Sequence, residues 1–176
     1  MKKKALTLLW LILFLGATGS LAQPGSIRVY FSPNGGCTDA ILAQINQAKT
    51  EILIQAYSFT IQPIAQALIR AQKRGVKISA VLDKSNRSQQ YSAATFLKNM
   101  GIPVFIDDQH AIAHNKIMII DNRVVITGSF NFTMAAENKN AENLLILEDM
   151  DDLIRAYREN FQNHLRHAVA YRDLEE

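Results

Sequence analysis

The chain holds a single cysteine, Cys37, so no disulfide can form within it and stability must come from a packed core; Cys37 itself reads as a small buried residue. A true excess of basic charge is also missing. The 19 lysines and arginines include Lys2, Lys3 and Lys4, and past residue 22 the tally is 16 basic against 16 acidic residues. Net charge therefore gives no argument for a nucleic-acid partner, and only a local patch could attract one. Arg70, Lys73, Arg74, Lys77, Lys84, Arg87 and Lys98 against the lone acid Asp83 form such a stretch, while residues 148–176 lean acidic. No cysteine pair, H-E-x-x-H or compact acidic cluster around histidine is present, so no metal site is expected. Asp107 and Asp108 beside His110 read as a loop whose adjacent carboxylates point apart, and His164 and His167 read as the solvated surface of a helix. Nothing resembles a helix-turn-helix or zinc-finger reader, which excludes sequence-specific DNA recognition by those means. A second domain, an internal repeat and a low-complexity linker are absent as well.

What the chain does have begins at its start. Three lysines, an apolar run from Ala5 to Leu15 and the small-x-small ending Ser20, Leu21, Ala22 fit a secretory signal peptide cleaved after Ala22. The rival reading, a retained membrane anchor over 5–22, suffers from a short apolar stretch broken by glycine and threonine. Cleavage implies a periplasmic or secreted protein of one domain, 23–176, without stable membrane association. About 154 residues suffice for a sizeable core.

Periodicity divides that domain into alternating strands and helices. Strands are expected at 27–31, 51–58, 76–82, 102–106, 116–120, 124–127 and 143–147, from β-branched and apolar runs bounded by turn residues. Helices are expected at 39–49, at 62–74 with Pro63 in the first turn and Gly75 beyond the last, at 91–99, and at 150–166. Asp121, Asn122 and Arg123 form a tight turn between two strands. The fold class is α/β, one mixed β-sheet flanked by helices on both faces.

The densest signal is His114, Lys116, Asp121, Gly128, Ser129 and Asn131, spaced H-x-K-x4-D-x6-G-S-x-N. At ordinary residue frequencies such a set arises by chance about once in 10⁶ chains of this length. Residues two apart on a strand share a face, so His114 and Lys116 should project together, a nucleophile beside a cation. Ser129 and Asn131, again two apart on a glycine-started loop, can donate to phosphate oxygens along with Lys116. Asp121 and Gly128 read as backbone devices, the first shaping the turn. Lysine, hydroxyl and amide can neutralise a phosphoryl group without a metal or other cofactor.

This pattern resembles the motif of the phospholipase D superfamily, and the resemblance covers essentially 26–166, including the stretches Ala56-Tyr57-Ser58-Phe59-Thr60 and Gly128-Ser129-Phe130-Asn131-Phe132-Thr133. It implies the phospholipase D/nuclease fold and cleavage of phosphodiester bonds through His114 as nucleophile, by way of a covalent phosphohistidine. The resemblance also assigns Glu142 the task of contacting and steadying His114. The family's chemistry uses two motifs and this chain carries one, which implies a homodimer with both His114 side chains at one shared site. The activity so implied is metal-independent, non-specific hydrolysis of DNA, with RNA left open. Two alternatives stand beside it: a phospholipase D-type lipid phosphodiesterase, and a nucleic-acid-binding module without turnover. A lipid enzyme should carry an exposed apolar rim beside the site, and no segment of the sequence announces one.

Overall fold

The computed structural model describes residues 25–88 and 92–171; the leader at 1–22 lies outside them. In chain order the elements are β1 (Ser26–Ser32), α1 (Cys37–Gln47), β2 (Glu51–Ala56), α2 (Gln62–Lys73), β3 (Lys77–Asp83), α3 (Ala93–Asn99), β4 (Val104–Asp107), β5 (Lys116–Ile120), β6 (Val124–Gly128), α4 (Met134–Asn138), β7 (Glu142–Glu148), α5 (Asp151–His167) and β8 (Val169–Ala170), with a 3-10 turn at Lys84–Arg87 after β3. All strands join one mixed sheet in the order β1-β7-β6-β5-β2-β3-β4-β8. β2, β3 and β4 run parallel, and the other pairings are antiparallel.

The strand alternation in the sequence decides the layers. Ile52, Ile54, Ala80, Leu82, Met118, Ile120, Ile126 and Ile146 face α1, α2 and α3 in the larger core. Leu53, Val81, Ile117, Ile119, Val125 and Leu147 face the other way, where Ile154 and Phe161 of α5 cover them. Burial on both faces explains why these strands are almost wholly apolar. The expected mixed sheet between helices is the fold observed. Two elements were not foreseen, the five-residue α4 and the two-residue β8 that follows α5 and pairs with β4.

The second face is not covered evenly. Helix α5 packs over β3 to β6 and leaves the edge strand bare. Ile27, Val29 and Phe31 of β1 are consequently more than half exposed, a stripe of alternate apolar residues open to water.

At the far end of the β5–β6 hairpin, Asp121 takes a left-handed conformation, φ 54°. Its carboxylate accepts hydrogen bonds from the backbone amides of Lys49, Thr50 and Glu51 at 2.8, 2.8 and 3.1 Å and from the Thr50 hydroxyl at 2.8 Å. It therefore fastens this turn to the segment entering β2. Burial pushes its carboxyl upward, but the amides of Thr50, Glu51 and Lys49 outweigh that and hold it below the ordinary carboxylate range. A depressed folded-state pKa contributes stability above the unfolded value near 4, and the contribution is lost as pH falls through the folded value. Asp121→Ala should lower stability by about 1–3 kcal/mol at pH 7, and the difference from wild type should shrink below about pH 4. Thermal melts of both proteins from pH 7 to 3 measure this.

Candidate active site

Topology assembles the site. Because β5 is antiparallel to β2, the first residue of β5, the last residues of β2, β3, β4 and β6 and the first of β7 all reach the same edge of the sheet. That edge carries Tyr57, Asp83, His114, Lys116, Gly128, Ser129 and Glu142. Active sites of open sheets with parallel strands gather beyond the carboxyl ends of those strands, and this edge is that place.

His114 lies just before β5, not within it, and its side chain is exposed, whereas Lys116 opens the strand and is only 6% exposed. They nevertheless meet. The Lys116 Nζ donates to the His114 carbonyl at 2.6 Å. Tyr57 joins them, with the His114 ring 4.6 Å from its ring centroid and the Lys116 ammonium 5.1 Å from it. Tyr57 is itself anchored, since its amide donates to the Asn115 carbonyl at 2.8 Å and its carbonyl accepts from the Asn86 side chain at 2.7 Å. Sequence reasoning passed over Tyr57, although it stands within the resembling stretch 56–60.

Burial drives the Lys116 ammonium below its ordinary pKa, while the carboxylates of Glu142 and Asp83 pull against that fall. The Asp83 side chain also spans the loops at the site, accepting from the amides of Ser85 at 2.9 Å and Ala113 at 2.7 Å. The residue beside His114 is thereby pinned.

The glycine-started loop shows why its sequence alternates. Phe130 and Phe132 are fully buried, so the alternate residues Ser129 and Asn131 turn the other way, Ser129 exposed and Asn131 half-buried. Gly128, φ 143°, has no room for a side chain: a Cβ there would stand 2.3 Å from the Asn143 carbonyl oxygen. The close approach lets that carbonyl accept from the amides of both Ser129 and Phe130, at 3.1 and 3.2 Å. The Ser129 hydroxyl oxygen accepts from the Asn143 amide at 3.0 Å, so its own hydrogen remains available to a ligand. Asn131 Oδ1 is buried without a hydrogen-bond partner among the described residues, an unmet polar group of the kind found at working sites.

Glu142 opens β7 at the site's end of the sheet. Its carboxylate accepts from the Asn140 side chain at 3.2 Å and its charge acts on Lys116. No hydrogen bond joins it to His114 within the chain among the described residues, because β7 enters the sheet two strands away from β5. Three expectations are corrected. The basic stretch is divided by β3, which puts Lys77 at the opposite edge of the sheet from Lys84 and Arg87. Lys84 then donates to the His110 carbonyl at 3.1 Å and Arg87 pairs with Asp108 at 3.5 Å. The site also has apolar neighbours: Ile112 and Met134 are at least half exposed. Finally, His164 and His167 are not solvated helix surface, since both turn toward the buried Asp107, where His110 joins them. Asp108 stays exposed. Donors capable of holding a metal thus converge although no sequence motif shows it.

Most of the chain has known counterparts. The family model described as cardiolipin synthase, PLD-like domain, matches residues 41–165. A protein of Rickettsia conorii named phospholipase D is 48% identical over 137 residues, 78% of this chain and 68% of that protein. Human mitochondrial cardiolipin hydrolase is 32% identical over 122 residues, 69% of this chain but 48% of its own length. Among solved structures, the phospholipase D family member Nuc from Salmonella typhimurium superimposes with a TM-score of 0.80 at 40% identity, covering 85% of this chain and 99% of Nuc.

Proposed function

The chain belongs to the phospholipase D superfamily of phosphodiester hydrolases, and on that premise we propose that it is a metal-independent endonuclease, acting outside the cytoplasm as a homodimer, that cuts DNA without sequence preference. The observation that carries the reading is an exposed imidazole, His114, held beside a buried lysine and a loop of phosphate donors on an open face. A site that grips phosphate and leaves the bases free carries no sequence information.

The reaction runs in two displacements. The neutral His114 nitrogen attacks phosphorus, an N–P bond forms, and the P–O bond to the 3′ oxygen breaks as that oxygen takes a proton from His114 of the second subunit. Water then attacks the phosphohistidine and gives its proton to the second imidazole; the N–P bond breaks and a 5′ phosphate leaves. Lys116, Ser129 and Asn131 stabilise charge on the non-bridging oxygens in both steps. Glu142 acts through Lys116, opposing the loss of its proton in a buried setting.

Pairing of two chains is supported by the bare stripe of β1. Phe31 lies opposite Asn143, the residue that holds Ser129, so the apolar stripe Ile27, Val29, Phe31 leads to the edge of the site. A twofold contact on it would cover exposed apolar surface and bring the two His114 regions toward one axis. Export by cleavage after Ala22 rests on the leader sequence alone.

The exposed Ile112 and Met134, with the names of the Rickettsia and human relatives, favour a second reading in which the phosphodiester belongs to a phospholipid. Purified protein given single-stranded DNA, or phosphatidylcholine and cardiolipin vesicles, in excess EDTA separates the two. The first reading predicts DNA cleavage at a rate at least about tenfold above headgroup release, given that one decade is only 1.4 kcal/mol of preference. Lipid turnover with intact DNA would replace it by the second.

A further inference from the structure

The group of side chains around Asp107 has no part in that reaction. Asp107 ends β4 and is fully buried, His110 lies three residues on in the loop that leads to His114, and His164 and His167 occupy the last turn of α5. Asp107 Oδ2 is 2.6 Å from His164 Nδ1, 2.9 Å from His110 Nδ1 and 3.3 Å from His167 Nε2. The four potential ligand atoms all lie within 4.8 Å of one another. Asp107 Oδ1 is occupied separately, by the Gln109 amide at 3.2 Å and by His110.

Hydrogen bonding alone does not account for this packing. One carboxylate can balance one imidazolium, yet three imidazoles crowd it with ring centroids 4.7 to 5.5 Å apart, so charging them all would set like charges together. Nor are the rings fully served when neutral. His167 Nε2 is buried and stands 3.3 Å from the carboxylate, in poor geometry for a hydrogen bond. A divalent cation resolves both difficulties, because it binds neutral imidazole lone pairs and the carboxylate together.

We propose that Asp107, His110, His164 and His167 form a structural zinc site that clamps the loop carrying His114 to the end of α5. Three nitrogens and one oxygen suit Zn²⁺, whose tetrahedral ligands, each about 2.0–2.1 Å from the ion, stand roughly 3.3 Å apart. The three contacts to Oδ2, at 2.6, 2.9 and 3.3 Å, lie near that spacing, and the half-exposed His110 side chain has room to adjust. Four protein ligands leave no open position, so the ion braces the fold and takes no part in catalysis. The clamp and the Asp83–Ala113 hydrogen bond hold the two ends of the loop from 108 to 113. The signal in the sequence is two short pairs, D-x2-H at 107–110 and H-x2-H at 164–167, whose meeting depends on where α5 packs.

The inference is independent of the substrate and is tested without reference to turnover. Tag-free protein stripped with chelator is titrated with zinc chloride by calorimetry, and its melting is followed with and without the metal. The expected results are one ion per chain, a rise in Tm of roughly 5–10 °C at zinc about 100 times Kd, and intense tetrahedral d–d absorption when Co²⁺ replaces Zn²⁺. His164→Ala and His167→Ala should each abolish all three, whereas His114→Ala should leave them intact. If folded, stripped wild-type protein takes up no zinc at 100 µM, or shows no Tm shift, the site is refuted; that holds even if the variants fail to fold. Equal zinc binding by a folded His164→Ala or His167→Ala protein would refute it too. DNA cleavage in EDTA at 25 °C is read separately, so neither result decides the other.

Discussion

Replacing His114 by alanine should lower the rate of phosphodiester cleavage by at least about 10⁴-fold while DNA binding changes by less than about tenfold. The asymmetry follows from what the side chain touches. Its ring is exposed, packs beside the Tyr57 ring and makes no hydrogen bond among the described residues, so removing it leaves no buried polar partner unsatisfied and the fold should keep its melting temperature. Binding is left to Lys116, Ser129 and Asn131. A covalent nucleophile, by contrast, has no substitute at the site. Single-turnover rates and filter binding on the same oligonucleotide measure the two effects, and a variant that cuts at a tenth of the wild-type rate would remove His114 from the reaction.

The second large effect is expected at Lys116, and its sign on stability is opposite to common intuition. Lys116→Met should reduce cleavage by about 10²–10³-fold, the range for loss of one preorganised charge stabiliser. Stability should change little or rise. The ammonium is buried at a cost that already lowers its pKa, and methionine fills a similar volume with no charge to desolvate. The opposing loss is the company Lys116 gives to Glu142 and Asp83, and Asp83 remains satisfied by the amides of Ser85 and Ala113. Measured kcat with thermal melts of the two proteins separates catalysis from folding. A strongly destabilised but active variant would mean that Lys116 serves the core.

Much of this architecture was legible because each strand writes its face into the sequence: Leu53, Val81 and Ile117 belong to one core and Ile54, Leu82 and Met118 to the other. Pro63 and Gly75 bounded α2 for local reasons that tertiary structure did not override. The motif residues also announced their own neighbourhood, since fixed gaps across a hairpin, 116–120 and 124–128, return the chain to its starting edge. What stayed hidden depends on contacts between distant segments. The two residues of β8 are exposed and carry no pattern, and only the open edge of β4 makes them a strand. His110 and His164 are 54 positions apart in sequence, and nothing in either local context shows that α5 ends over Asp107. Within one chain Glu142 meets the Asn140 side chain and acts on Lys116, neighbours that no local pattern shows. The basic stretch looked continuous because one-dimensional charge counting does not see that β3 carries its two halves to opposite edges.

The proposed chemistry requires two imidazoles, and one chain supplies one. Mixed dimers, each pairing a wild-type subunit with a differently tagged His114→Ala subunit and isolated by both tags, test this most directly. A shared site predicts activity below about one hundredth of the wild-type dimer, because every site then lacks either its nucleophile or its proton donor. Activity at half the wild-type rate would show that each chain works alone and would contradict the account.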